Sequence, residues 1–256
     1  AVTLAAGMAT VGLLPFCAIY STFLQRSFDQ VIHDVALQNL GVIFCLDRAG
    51  LVGQDGPTHH GVFDIPMLRV VPNIRILAPR NEIQLRNSLY TLQLELKGPV
   101  AIRYPRGYGR ISDWKLPFQK IDLEKGTLIK PGEVLAVISI GTMYDNVSKA
   151  IEMVEQKCNP GQYDLGSIKP LDEKLLHQIF KKYTTIITVE DGAVFGGAGS
   201  AILEWANING YSHSIRRIGI PDNFISHGTT LELQKEVGLD PDSIAKEILN
   251  LLEIES

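Results

Sequence analysis

Short apolar runs alternate with helix-length periodic stretches along almost the whole chain, and they do so in two blocks. In the first block, residues 14–20 read as a strand, 22–38 as a helix, 42–46 as a strand, 74–78 as a strand, 81–96 as a helix and 100–104 as a strand. From Pro105 to Pro131 the alternation stops and Gly107, Gly109, Pro117, Gly126 and Pro131 punctuate a polar stretch. It resumes with a strand at 134–140, a helix at 143–157, a short strand at 163–168, a helix at 173–182, a strand at 185–189, a helix at 197–207 and a strand at 214–218. Two helices, 230–237 and 241–252, close the chain. Strands that alternate with helices favour parallel sheets covered on both faces. The expected fold is α/β: two tandem three-layer α/β domains with mostly parallel sheets, over 1–108 and 132–256, joined by a linker or crossover at 109–131. At 256 residues the chain is long enough for two real cores.

Charge and hydropathy exclude several functions. A net charge of -4 leaves no electrostatic footprint for nucleic acid. No apolar run approaches the roughly 18 residues of a membrane-spanning helix. Cys17, Cys45 and Cys158 lie far apart in or beside apolar runs, and read as reduced core thiols of a cytosolic protein.

The chemistry concentrates at strand ends. Asp47-Arg-Ala-Gly-Leu-Val-Gly-Gln-Asp-Gly-Pro-Thr-His-His-Gly61 follows the apolar run 42–46 and carries two carboxylates, an arginine and two histidines among four glycines. The first strand ends at Tyr20-Ser21 and the last of the block at Arg103-Tyr-Pro-Arg106. In a parallel sheet these ends share one edge, where ligands bind. Tyr20, Arg48, Asp55, His59 and Arg106 can therefore meet at one crevice. Arginine forks there suit a phosphate or carboxylate, and histidine suits proton transfer near neutral pH. The plainer reading is a set of solvated or ion-paired arginines and a simple turn at His59-His60.

The helix after Tyr20 adds a second clue. Leu24, Phe28, Val31, Ile32 and Val35 make its core-facing stripe, and Phe23 falls off it among Arg26, Ser27 and Gln30. An aromatic ring on a polar flank is either covered by a neighbouring domain or subunit, or stacked on a flat heterocycle. Gly196-Gly-Ala-Gly-Ser200 lacks the spacing of a dinucleotide fingerprint, and Glu190-Asp-Gly192 is too short to indicate a metal. No Gly-Asp-Gly with a following Asn, no P-loop and no Cys-x-x-Cys is present.

The segments Ala1-Val-Thr-Leu-Ala-Ala-Gly7, Tyr20-Ser-Thr-Phe-Leu-Gln-Arg26, Asp29 to Asp34, Asp47 to Gly61 and Arg103-Tyr-Pro-Arg-Gly107 resemble, in order, the 1-deoxy-D-xylulose-5-phosphate synthase family, thiamine-diphosphate enzymes of the transketolase superfamily. Gly141-Thr-Met, Ile168-Lys-Pro-Leu171, Val189-Glu-Asp-Gly192 and Ile220 to Gly228 resemble the transketolase C-terminal domain. The resemblance implies a pyrimidine-binding first domain in which Phe23 stacks on the cofactor's aminopyrimidine and Tyr20 and Arg26 support it. It implies that Tyr20, Arg48, Asp55, His59 and Arg106 line the pocket for pyruvate and glyceraldehyde 3-phosphate. Arg48 and Arg106 would hold the phosphate, and His59 would move or orient a proton.

The family's glutamate that activates the cofactor lies three residues before the Ala-Val-Thr segment, and its diphosphate and Mg2+ domain lies further upstream. The resemblance thus implies an N-terminally truncated pyrimidine-binding domain that begins inside an element, with no metal ligand of its own. It implies an N-terminal portion of the same enzyme as partner, a homodimer, and no activity for this chain alone. Two other readings remain open: a 2-oxoacid dehydrogenase beta subunit, with the same two domains, and a folded dimerisation scaffold.

Overall fold

The computed structural model describes residues 1–109, 111 and 115–253. Of the stretch expected as linker, 110 and 112–114 lie outside the described residues, as do 254–256 of the final segment. The first block opens with helix α1 (Val2–Thr10) and strand β1 (Phe16–Tyr20). Helical pieces α2 (Ser21–Leu24) and α3 (Phe28–Gln30) follow, joined by the 3-10 turn Gln25–Ser27 and continued by a π turn, Val31–Ala36. Then come β2 (Ile43–Asp47), the 3-10 turn Gly53–Asp55, α4 (Asp64–Arg69), β3 (Arg75–Leu77), α5 (Glu82–Glu95) and β4 (Val100–Arg103). The second block holds β5 (Thr127–Lys130), β6 (Ala136–Ser139), α6 (Met143–Val154), β7 (Gly161–Asp164), β8 (Ser167–Lys169) and α7 (Glu173–Lys182). It ends with β9 (Thr185–Ala193), α8 (Ala198–Ile208), β10 (Ser214–Ile220), α9 (Thr230–Glu236) and α10 (Pro241–Leu251).

Two five-stranded sheets result, in the orders β1-β2-β4-β3-β8 and β10-β9-β6-β7-β5. All pairings are parallel except β3 with β8 and β5 with β7. The central strands β2, β4 and β6 are buried along almost their whole length, as strands covered on both faces must be. Their side chains divide among three apolar clusters.

Four helix starts, those of α5, α7, α9 and α10, are encoded locally. Asn81 accepts from the Gln84 amide, Asp172 from Leu175 and Asp240 from Ser243, while Thr229 and Glu232 form a reciprocal box at α9. Each such cap satisfies amides that the helix itself leaves unpaired.

Three expectations are corrected. The helix expected over 22–38 is segmented and ends at Ala36; its π turn bonds Leu37 N–H to Ile32 C=O at 2.9 Å. That wider turn rotates Ile32 off the core face, leaving it 38% exposed while Leu24, Val31 and Val35 are fully buried. The polar stretch 105–131 ends in a strand, β5, which pairs with β7. The single strand expected at 163–168 is two: β7 stays in the second sheet and β8 crosses to the edge of the first. That crossing interleaves the two blocks.

Candidate active site at the strand ends

The histidine-bearing loop leaves β2 and is closed on itself. Gly50 and Gly61 exchange hydrogen bonds, N–H to C=O, at 2.8 and 2.9 Å. Arg48 takes a left-handed backbone, φ 59°, and its amide donates to Asp47 Oδ1 at 2.7 Å. Gly56, φ 72°, meets the second block so closely that an added Cβ would overlap the His227 ring. An added Cβ at Gly50, φ 75°, would lie 2.5 Å from Asp191 Oδ2. Glycine is required at both on two counts, backbone hand and space.

Six of the seven residues singled out in sequence meet in one contact network. Asp55 Oδ2 accepts from Arg48 Nη1 at 2.5 Å and from Arg106 Nη1 at 3.1 Å. Arg106 Nη1 also donates to Val52 C=O at 3.3 Å. The Arg48 guanidinium lies 4.2 Å over the Tyr20 ring. Tyr20 stacks on Phe23, centroids 5.3 Å apart, and Phe23 meets His59 edge-on at 5.4 Å. His59 Nδ1 pairs with Thr58 Oγ1 at 2.9 Å. Phe23 is 42% exposed, a flat ring backed by Tyr20 and open to a planar ligand. Arg26 stands exposed in the turn after Phe23, and among the described residues no ion pair ties it to the network.

These residues do not all face one cavity. A cavity of about 1000 Å3 lies between the ends of β2, β3 and β4 and the start of α6, and Arg48 and Arg106 line it together with Arg80, Tyr144 and Asp191. Tyr20, Phe23 and His59 are outside its lining and form an aromatic ledge. The Asp55-bound arginine pair is the junction of ledge and cavity.

The sequence did not reveal what holds this edge together. Arg103, 3% exposed, donates through Nε to Asp64 Oδ2 at 3.0 Å and through Nη1 to Asp191. Burial alone would lower its pKa; the carboxylates of Asp191 and Asp64 outweigh it and keep the guanidinium charged. Glu190 accepts from the Ala198 and Gly199 amides, both at 2.8 Å, at the start of α8. Burial pushes its carboxyl up to about 7, against those two bonds and the charge of Arg103. The glycine-rich stretch 196–200 is thus a helix start already occupied by a carboxylate from its own chain. Both acids belong to Glu190-Asp-Gly192, where only spatial partners could show their roles. Among the described residues no group of three or more His, Cys, Asp or Glu forms a metal site.

Residues 1–111 match the family model for the pyrimidine binding domain of transketolase, and residues 124–244 match that for the transketolase C-terminal domain. A 1-deoxy-D-xylulose-5-phosphate synthase from Cytophaga hutchinsonii is 52% identical over 253 residues, 98% of this chain and 40% of that protein. One from Bacteroides fragilis is 54% identical over 250 residues, covering 97% of this chain and 39% of that protein. The chain therefore spans about 40% of the length of these relatives. A solved structure described as a split gene transketolase, inactive beta4 tetramer, superposes with a TM-score of 0.84 at 25% identity, over 99% of this chain and 80% of that one.

Proposed function

Because the chain belongs to the transketolase family, carrying its pyrimidine-binding and C-terminal domains, we propose that it is the corresponding part of a thiamine-diphosphate-dependent 1-deoxy-D-xylulose-5-phosphate synthase. The complete protein would condense pyruvate with glyceraldehyde 3-phosphate, release CO2, and supply a precursor for isoprenoids, thiamine and pyridoxal. In this reading the two units are 1–108 and 132–256, and the preceding domain of the same enzyme binds the diphosphate and Mg2+. The synthase pairs as a homodimer.

The observation that carries the reading is the arginine pair on Asp55 beside the aromatic ledge. When bound, thiamine diphosphate supplies the carbanion chemistry that decarboxylation of pyruvate requires. The chain's own residues bind and orient. Phe23 offers its exposed ring to the aminopyrimidine, where stacking adds roughly 1 kcal/mol beyond burial. Tyr20 backs that ring and is itself held beneath the Arg48 guanidinium. Arg48 and Arg106 present guanidinium donors from two strand ends, suited to the three acceptor oxygens of a phosphate monoester. Asp55 holds both donors in register. His59, edge-on to Phe23, would pass or orient a proton on the substrate. Arg26, exposed in the turn after Phe23, would contact the bound cofactor and not the ledge itself.

The test is a steady-state assay of the complete synthase. Carbon dioxide release and product formation that depend on both pyruvate and glyceraldehyde 3-phosphate, with Arg48→Ala and Arg106→Ala raising the aldehyde KM, support the reading. Pyruvate turnover indifferent to aldehyde phosphate rejects it in favour of a 2-oxoacid dehydrogenase subunit.

A further inference from the structure

His60 is adjacent to the proposed proton-transfer residue, yet it is 4% exposed and faces the protein rather than the ledge. Both its ring nitrogens are engaged. The Val52 amide donates to Nδ1 at 3.1 Å, and Nε2 lies 3.2 Å from the Ser226 carbonyl oxygen. A backbone N–H only donates and a carbonyl only accepts, so the two partners together select one neutral tautomer, with the proton on Nε2.

The chain of contacts continues through the backbone of Val52, across its Cα. Its N–H serves His60, and its C=O accepts from Arg106 Nη1 at 3.3 Å. The same Arg106 nitrogen donates to Asp55, which holds Arg48. One unbroken path therefore runs from Ser226, in the loop before α9, through His60 and Val52 to the arginine pair. The surrounding contacts press the two loops together: an added Cβ at Gly53 would lie 3.3 Å from Gly228 C=O, and one at Gly56 would overlap His227. The Val52 N–H belongs to the Leu51–Val52 peptide and its C=O to the Val52–Gly53 peptide, so the two bonds hold the planes on either side of one Cα and together restrict the Val52 backbone.

We propose that His60 is a positioning residue for the arginine pair. From a base in the second block it anchors the Val52 backbone, whose C=O is a partner of Arg106, and so helps set where Arg106 meets the substrate phosphate. Its neighbour His59 faces the substrate; His60 faces the scaffold. The functional half of this inference rests on the phosphate reading of Arg48 and Arg106, but the hydrogen-bond relay does not.

Two measurements test it. In the complete synthase, His60→Leu, which offers neither acceptor nor donor, raises the KM for glyceraldehyde 3-phosphate about tenfold, as loss of one hydrogen bond would, and leaves the KM for pyruvate in place. His60→Gln, whose amide oxygen accepts and nitrogen donates, restores most of the loss. In the 256-residue chain, amide exchange at Val52 accelerates in His60→Leu and recovers in His60→Gln. Unchanged Val52 exchange in His60→Leu overturns the relay, as does an equal rise in both KM values. If Val52 exchange responds while even Arg106→Gln leaves the aldehyde KM untouched, the relay stands and the phosphate reading falls.

Discussion

The guanidinium of Arg103, at the end of β4, is bonded to the carboxylate of Asp191 in β9, so one buried ion pair ties the first sheet to the second. Asp64 at the start of α4 accepts from the same guanidinium at 3.0 Å, and Thr142, just before α6, donates to Asp191 at 3.3 Å. Four elements therefore converge on one cation beneath the cavity floor. Removing one carboxylate leaves a buried charge undercompensated. Asp191→Ala should cost about 3–5 kcal/mol of unfolding free energy, read as a lowered urea midpoint. Replacing the whole triad with apolar residues of similar volume should cost far less, because the desolvation penalty disappears with the charges. If Asp191→Ala unfolds at the wild-type midpoint, the triad does not weld the sheets.

The arginine pair makes a sharper, functional prediction. Arg106 is 47% exposed at its side chain, and Arg48, at 23%, packs over the Tyr20 ring; neither belongs to an apolar core cluster. Hydrogen bonds to a charged group are worth about 1.5–3 kcal/mol each. Arg106→Ala and Arg48→Ala should therefore raise the aldehyde-phosphate KM of the complete synthase by roughly 10- to 100-fold, with melting temperature little changed. Wild-type kinetics in both variants would remove the phosphate assignment.

Phe23 separates binding from stability in the same way. Its exposed ring contributes little to the fold, and a surface truncation of this kind shifts stability by about 0.5 kcal/mol or less. Phe23→Ala should leave the unfolding midpoint in place while weakening thiamine diphosphate binding by roughly 3- to 10-fold, the worth of one stacking contact. Calorimetric titration of the complete enzyme with cofactor and Mg2+ measures the second quantity. A large fall in stability with unchanged cofactor affinity would mean that the ring is a packing residue.

Much of this arrangement was legible because it is periodic or local. The strand ends at Tyr20, Asp47 and Arg103 follow from apolar runs, and Phe23 stood out by falling off its own helical stripe. The caps at Asn81, Asp172 and Thr229 lie beside the helices they start. What escaped depends on partners distant in sequence. Arg103 and Asp191 are 88 positions apart, and neither residue's neighbours betray the other. The crossing of β8 to the first sheet is invisible in a short apolar run, since pairing is a tertiary choice. The shift of Ile32 arises from a π turn, which a 3.6-residue template cannot register. His60 looks like its neighbour in sequence; burial and two backbone partners alone separate them.

Glu190 gives the last prediction, in pH. Its ordinary carboxyl pKa is near 4.5, and burial raises it to about 7 in the folded chain despite two amide donors. The native state therefore holds a proton that the unfolded chain has already released between those values. Linkage fixes the sign: stability from this group is fully present below about 4.5 and is lost as pH rises through about 7. Asp164, raised to about 6 by burial against the pull of Arg80, acts in the same direction. Glu190→Gln removes the titration at that site while keeping one amide acceptor. The unfolding free energy of wild type minus that of Glu190→Gln should therefore fall between pH 5 and pH 8 by an amount on the order of 2 kcal/mol. Urea titrations of both proteins at the two pH values measure it. A difference that is flat, or that grows with pH, would mean the carboxylate stays ionised at the start of α8, with the helix amides outweighing burial.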